Sequence, residues 1–204
     1  MRRTSLLAFI KQLNHPVFTT FELSTLSGKS LSAVTQGLNT LVREGAVLKI
    51  YRGIWAEERN DRLSPYAAIP YLLPRHRAYV SFISALHLYN MVEQIPQVIT
   101  LATTSHTKVI RTRLGVFSLH QLTPKFFKGF GWYKGSGNFL IAEPEKALVD
   151  SLYLSARKNK QFGNFPELYF PKQFSFKKVK QWAMLIPDPK IRAHVVKKIS
   201  GLIR

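Results

Sequence analysis

The sequence predicts an α+β protein in two parts, residues 1–56 and residues 65–204, joined by a linker over 57–64. Three observations carry this reading. Apolar residues recur at helical spacing before residue 45; a short β-rich stretch split by Arg52-Gly53 follows; and beyond a charged break, strand-like runs alternate with helical ones.

In the first part, Leu6, Leu7, Ile10 and Leu13 share one face of a helix running from about Thr4 to Leu13. His15-Pro16 ends it, because the residue before a proline is pushed away from helical angles. Thr19-Thr20-Phe21-Glu22-Leu23 reads as a capped second start, a threonine ahead of Glu22 accepting from the free amides of the first turn. That helix is short and closes at Ser27-Gly28. Lys29-Ser30-Leu31-Ser32 opens a third helix, through Thr40 to about Glu44, with Gly45 where a left-handed cap is wanted. Leu31, Val34, Leu38, Leu41 and Val42 fall on one side of it, and Ser32, Gln36, Asn39 and Arg43 on the other. Ala46 to Tyr51 and Ile54-Trp55 are strands meeting in a tight turn at Arg52-Gly53. Helix, short helix, turn, longer helix with a polar outer face, then hairpin: this is the order of a winged helix-turn-helix.

Glu57-Glu58-Arg59-Asn60-Asp61-Arg62 is charged and poor in core residues, which marks it as a linker. Ser64-Pro65 then begins a helix towards Leu73, and Ser81 caps another through Leu88. Strand-like runs follow at Gln97–Ala102, Thr107–Arg111, Val116–Leu122 and Asn138–Ala142. Glu143-Pro144-Glu145-Lys146 starts a helix to about Ser155, acidic where the helix dipole favours it. Two more helices complete the pattern, Ser175–Ile186 and Pro189–Ile203, the latter started by Asp188.

Thirty Lys and Arg against eleven Asp and Glu leave a formal net charge of +19. Charge of that size says little about fold, but it attracts polyanions, and nucleic acid leads because each cation reaching a phosphate releases condensed counterions. No cysteine is present, so disulfides, thiolate nucleophiles and Cys-type zinc sites are excluded and a reducing cytoplasm is the expected setting. Met1-Arg2-Arg3 followed by Ser5 to Ile10 imitates the start of a signal peptide, but Lys11, Gln12, Asn14 and His15 end the apolar run early. No apolar stretch approaches membrane-spanning length, so no membrane span is expected, and an anionic membrane surface or an acidic protein ranks behind nucleic acid as the partner of the charge.

In a helix-turn-helix the second helix of the pair enters the major groove. Its candidate DNA contacts here are Lys29, Ser30, Ser32, Gln36, Asn39, Thr40 and Arg43, while Lys49, Tyr51 and Arg52 of the hairpin lie suitably for phosphate. Gln and Asn can pair bidentately with adenine. The competing reading is a solvated helix face. Lys177, Lys178, Lys197 and Lys198 head a second basic face on the last two helices, either a solubilising surface or a contact to nucleic acid or a partner.

Enzyme signatures are weak, and neither catalytic residues, metal ligands nor a cofactor are expected. Gly129 to Gly137 is glycine-rich without dinucleotide or P-loop spacing and is better read as a hairpin pair. Pro187-Asp188-Pro189-Lys190 has part of a nuclease pattern but is better explained by helix capping. The six histidines lack paired ligand spacing. Glu143, Glu145 and Asp150 are read as dipole and capping residues.

Tyr79 to His87, Gln94-Ile95-Pro96, Thr100-Leu101-Ala102-Thr103 and Pro144-Glu145-Lys146-Ala147-Leu148-Val149-Asp150-Ser151-Leu152-Tyr153 occur in that order. Together they resemble AbiEi-type antitoxins over roughly residues 5 to 155. The resemblance implies a transcriptional repressor of its own operon that is also the antitoxin of a type IV toxin–antitoxin pair with a nucleotidyltransferase toxin. Its partners would be double-stranded operator DNA and that toxin or the toxin's RNA substrate. The resembling pattern often has a Gly where this chain has Asn90-Met91, and the last fifty residues match nothing in it. An orphan regulator without a toxin and a nucleic-acid-processing enzyme are the alternatives.

Overall fold

The computed structural model describes residues 5–135, 138–157 and 166–203. Over these the chain is α+β, with eight α-helices and two β-sheets. It divides into two compact units, residues 1–74 together with Arg111–Gly115, and residues 75–110 together with 116–204.

The first unit begins with α1 (Leu6–Leu13), capped by the Ser5 hydroxyl accepting from the Ala8 amide. The expected start at Thr4 lies outside the described residues. Asn14, left-handed at φ 52°, ends the helix. β1 (Val17–Thr19) leads directly into α2 (Thr20–Ser27), and the expected threonine cap is a full capping box. The Thr19 hydroxyl accepts from the Glu22 amide at 3.1 Å, and the Glu22 carboxylate accepts from the Thr19 amide at 2.7 Å. Gly28, at φ 66°, supplies the turn into α3 (Leu31–Arg43), itself capped by Ser30.

β2 (Val47–Tyr51) and β3 (Ile54–Glu57) form an antiparallel hairpin, turned at Arg52-Gly53 with Gly53 at φ 69°. β1 joins the other side of β3, so the sheet order is β1-β3-β2. Ile10, Phe18, Leu23, Val34, Leu38, Val47 and Trp55 make the core, with Leu6, Phe9, Leu13, Leu41 and Val42 packed against it. Two details fix it further. The Trp55 indole N–H donates to the Thr20 hydroxyl at 2.8 Å, and Gly37 lets α1 approach so closely that a Cβ there would sit 2.8 Å from Leu6 Cδ2.

Residues 57–64, expected as a linker, group with this unit. Asn60 bonds the Glu57 carboxylate, and the Arg62 guanidinium donates to both the carbonyl and the side-chain oxygen of Asn14. The helix expected from Ser64 towards Leu73 is a 3₁₀ turn (Pro65–Ala68) followed by the one-turn α4 (Ile69–Leu72). Pro70 lies inside that stretch and has no amide to offer the helical ladder.

A six-stranded mixed sheet ordered β6-β7-β5-β4-β9-β8 belongs to the second unit, apart from the ends of β6 and β7 that fall within Arg111–Gly115 and group with the first. Its strands are β4 (Ala78–Val80), β5 (Val98–Thr103), β6 (Lys108–Thr112), β7 (Gly115–Gln121), β8 (Phe130–Trp132) and β9 (Leu140–Ala142). β5 runs parallel to β7 and β4 parallel to β9, whereas β4 is antiparallel to β5, and β8 to β9. The last pairing makes the glycine-rich run a hairpin; Ser136 and Gly137 lie outside the described residues. α5 (Phe82–Leu88), α7 (Phe176–Met184) and α8 (Pro189–Leu202) all pack on α6 (Pro144–Ser155). Every residue of α6 from Glu145 to Ser155 is buried.

Candidate nucleic-acid interface

α3 buries Val34 and Leu38 and so must turn the opposite face outwards. At about 100° per residue, Ser32, Gln36, Asn39 and Arg43 fall within an arc of about 60°, and all four are exposed. Lys29, Ser30 and Thr40 are exposed as well. Ser30 is already engaged as the helix cap, its hydroxyl accepting from the Ala33 amide at 3.2 Å. Thr40 donates to the Gln36 carbonyl and accepts from the Arg43 guanidinium at 3.1 Å, which steadies the arginine at the end of the stripe.

Leu31 departs from the expected pattern. Assigned to the apolar side, it is 52% exposed, because as the first residue of α3 it precedes the turn that meets the core. In the hairpin Lys49, Tyr51 and Arg52 are exposed, with the Lys49 ammonium 5.2 Å from the centre of the Trp55 ring. Such a cation–π contact on a surface is worth about 0.5–1 kcal/mol and leaves the outer side of the ammonium in solvent. The first unit thus carries an exposed helix face of hydrogen-bonding side chains and an exposed basic hairpin.

On α7 and α8, Lys177, Lys197 and Lys198 are exposed, and Lys178 pairs with Glu143 at 3.4 Å. Val179, Val195 and Ile199 are buried beneath them. Asp188 caps α8 by accepting from the Lys190 and Ile191 amides at 2.8 and 3.1 Å, so capping accounts for the Asp188-Pro189-Lys190 run.

The largest departure from the sequence reading concerns α6. Glu145 is buried and accepts from the Ser175 amide at 3.0 Å, and Asp150 lies a turn further on, beyond the reach of the helix start. Asp150 is fully buried. It pairs with Lys146, also fully buried, and accepts from the hydroxyls of Ser81 at 2.7 Å and Tyr79 at 3.1 Å. Ser81 therefore does not cap α5 with its side chain, as the sequence had suggested; its hydroxyl goes to Asp150 instead.

Lys146 lies 3.9 Å from the centre of the Phe126 ring and also bonds the Tyr79 hydroxyl. Burial pushes Asp150 above the usual carboxylate range and Lys146 below the usual ammonium range, while their mutual attraction opposes both shifts. Burial and the neighbouring Asp150 raise Tyr79 as well. The signal available in the sequence was Lys146 and Asp150 at i,i+4 amid apolar neighbours, a spacing that places them together on one helix face.

No protein-family model matches the chain, and no curated protein does.

Proposed function

We propose that this chain is a sequence-specific duplex-DNA-binding transcriptional repressor whose first unit is a winged helix-turn-helix. In this reading α2 and α3 form the helix-turn-helix, α3 enters the major groove, and the β2–β3 hairpin is the wing. The observation that carries the proposal is the exposed stripe Ser32, Gln36, Asn39 and Arg43 on a helix whose other face packs into the core. The unit around it and the +19 charge support the same partner.

The test separates base contacts from phosphate contacts. A site would be enriched from a random duplex library with the full chain, and the variants compared on that site and on random DNA. Gln36→Ala and Asn39→Ala should each cost roughly 1–3 kcal/mol on the enriched site and little on random DNA, whereas Lys49→Ala and Arg52→Ala should weaken both alike. Equal losses on both DNAs for the α3 variants would refute the assignment of α3 as the reading helix.

The resemblance to AbiEi-type antitoxins extends the proposal. In it the chain represses its own operon and neutralises a nucleotidyltransferase toxin, with Lys177, Lys178, Lys197 and Lys198 as candidate contacts to the toxin or its RNA substrate. Supporting this are the sequence runs Tyr79 to His87, Gln94 to Pro96, Thr100 to Thr103 and Pro144 to Tyr153, and it is tested separately. The full chain should restore growth to cells expressing such a toxin, and changing the four lysines together to Gln should reduce rescue while sparing operator affinity. Operator binding without rescue would leave an orphan regulator.

A further inference from the structure

Resting on the DNA-binding reading of the first unit, we infer that the turn Arg111–Gly115 is a further phosphate-contacting element of that unit, alongside α3 and the Arg52-Gly53 turn. The turn belongs to the first compact unit although it is remote in sequence. A main-chain bond attaches it, the Arg113 amide donating to the Ile50 carbonyl at 3.3 Å. Ile50 lies in β2, one of the two edge strands of the three-stranded sheet, between Lys49 and Tyr51 and two residues from Arg52. Hydrogen-bonded strands lie about 4.8 Å apart, so this bond holds the Arg113 backbone about one strand spacing from the hairpin.

The turn is braced from within. The Thr112 hydroxyl donates to the Gly115 carbonyl at 2.9 Å and accepts from the Leu114 amide at 3.1 Å, and Gly115 sits at φ 144°, open to glycine. An arginine on a braced turn gives up less freedom on binding than one on a slack chain.

Arg111 and Arg113 are exposed, and the ion pairs among the described residues are Lys146–Asp150 and Lys178–Glu143, which include neither. Holding the turn in place takes the Arg113 amide and the Thr112 hydroxyl; it takes no cation at 111 or 113. The bond to Ile50 holds the Arg113 backbone beside β2, which carries Lys49 and leads into Arg52, so cations on this turn add to the positive charge of the hairpin until a polyanion neutralises it. The chemistry that fits is the phosphate backbone of duplex DNA, bound by charge and hydrogen bonds without base readout.

The experiment measures the affinity of the full chain for a short random-sequence duplex by fluorescence anisotropy across a salt series. Arg111→Gln with Arg113→Gln should reduce the magnitude of the log–log salt slope by about 1.8, two contacts at about 0.9 each, and weaken binding roughly tenfold or more at moderate salt. Arg111→Lys with Arg113→Lys should keep the slope, since lysine still neutralises phosphate. Lys125→Gln with Lys134→Gln, which removes the same charge from exposed positions of the second unit, should leave the slope unchanged. If Lys49→Gln with Arg52→Gln lowers the slope and the Arg111/Arg113 pair does not, this inference falls while the DNA-binding reading stands. An equal drop in the Lys125/Lys134 control also overturns it, leaving net charge as the cause. A wild-type chain with no salt-dependent DNA affinity overturns both.

Discussion

α3 and α6 are helices of similar length that handle polar side chains in opposite ways. α3 wears Ser32, Gln36, Asn39 and Arg43 on its outer face, where they cost little to solvate and stay available to another molecule. α6 is buried throughout from Glu145 to Ser155, and its Lys146, Asp150 and Glu145 are consumed by bonds within the second unit. Polar composition alone therefore does not mark a binding surface: one set of polar groups faces outwards, and the other holds a fold together.

The comparison is tested most severely at Asp150. Removing one partner strands the other charge in an apolar setting, which typically costs about 3–5 kcal/mol, whereas replacing both by apolar residues of similar size is often close to neutral. Asp150→Ala should therefore lower the unfolding free energy in urea by about that much, and Lys146→Met with Asp150→Leu should cost less than the single change. If Asp150→Ala leaves the urea midpoint unmoved, the buried pair is not what organises α6.

pH sharpens the contrast next. His120, in β7 of the second unit, is buried with its ring edge-on to Phe82 at 5.1 Å, and burial pushes its pKa from about 6.5 down to about 4. The unfolded chain then binds the proton more readily than the folded one. The stability this contributes is fully present above about pH 6.5 and drains away as pH falls towards 4, by about 2 kcal/mol at pH 5. His120→Gln should flatten that part of the stability curve, measured as urea midpoints at pH 7 and pH 5; an unchanged slope would rule His120 out as its source.

The smallest effect is expected at Lys178. Its pair with Glu143 joins side chains 53% and 42% exposed, unlike the fully buried Lys146–Asp150 pair. Surface pairs contribute little, so Lys178→Gln should shift stability by less than about 1 kcal/mol. A loss comparable to that of Asp150→Ala would erase the distinction between outward and inward charge.

Much of the first unit was legible because its signals are local. The Thr19–Glu22 box, the Ser30 cap, the glycines at 28 and 53 and the outer stripe of α3 all depend on neighbours a few residues away. The three-residue strands β1 and β4 were not legible, being too short to show alternation and defined only by distant partners: Phe18 by Trp55, and Val80 by Leu101 and Ile141. Distance in sequence also hid the role of Ser81, placed correctly as the residue before α5 but committed by its hydroxyl to Asp150, 69 residues away. Arg113 was hidden likewise, since nothing near it in sequence points to Ile50.

Lys146 also turns the second unit into its own reporter. An amine that is fully buried and hydrogen-bonded is closed to amine-directed reagents. Exposed lysines such as Lys125, Lys134 and Lys177 should acylate at once, while Lys146 acquires label only when the helices around it part. The delay between those reactions, followed peptide by peptide in a mass spectrometer, times the opening of the second unit without any added probe.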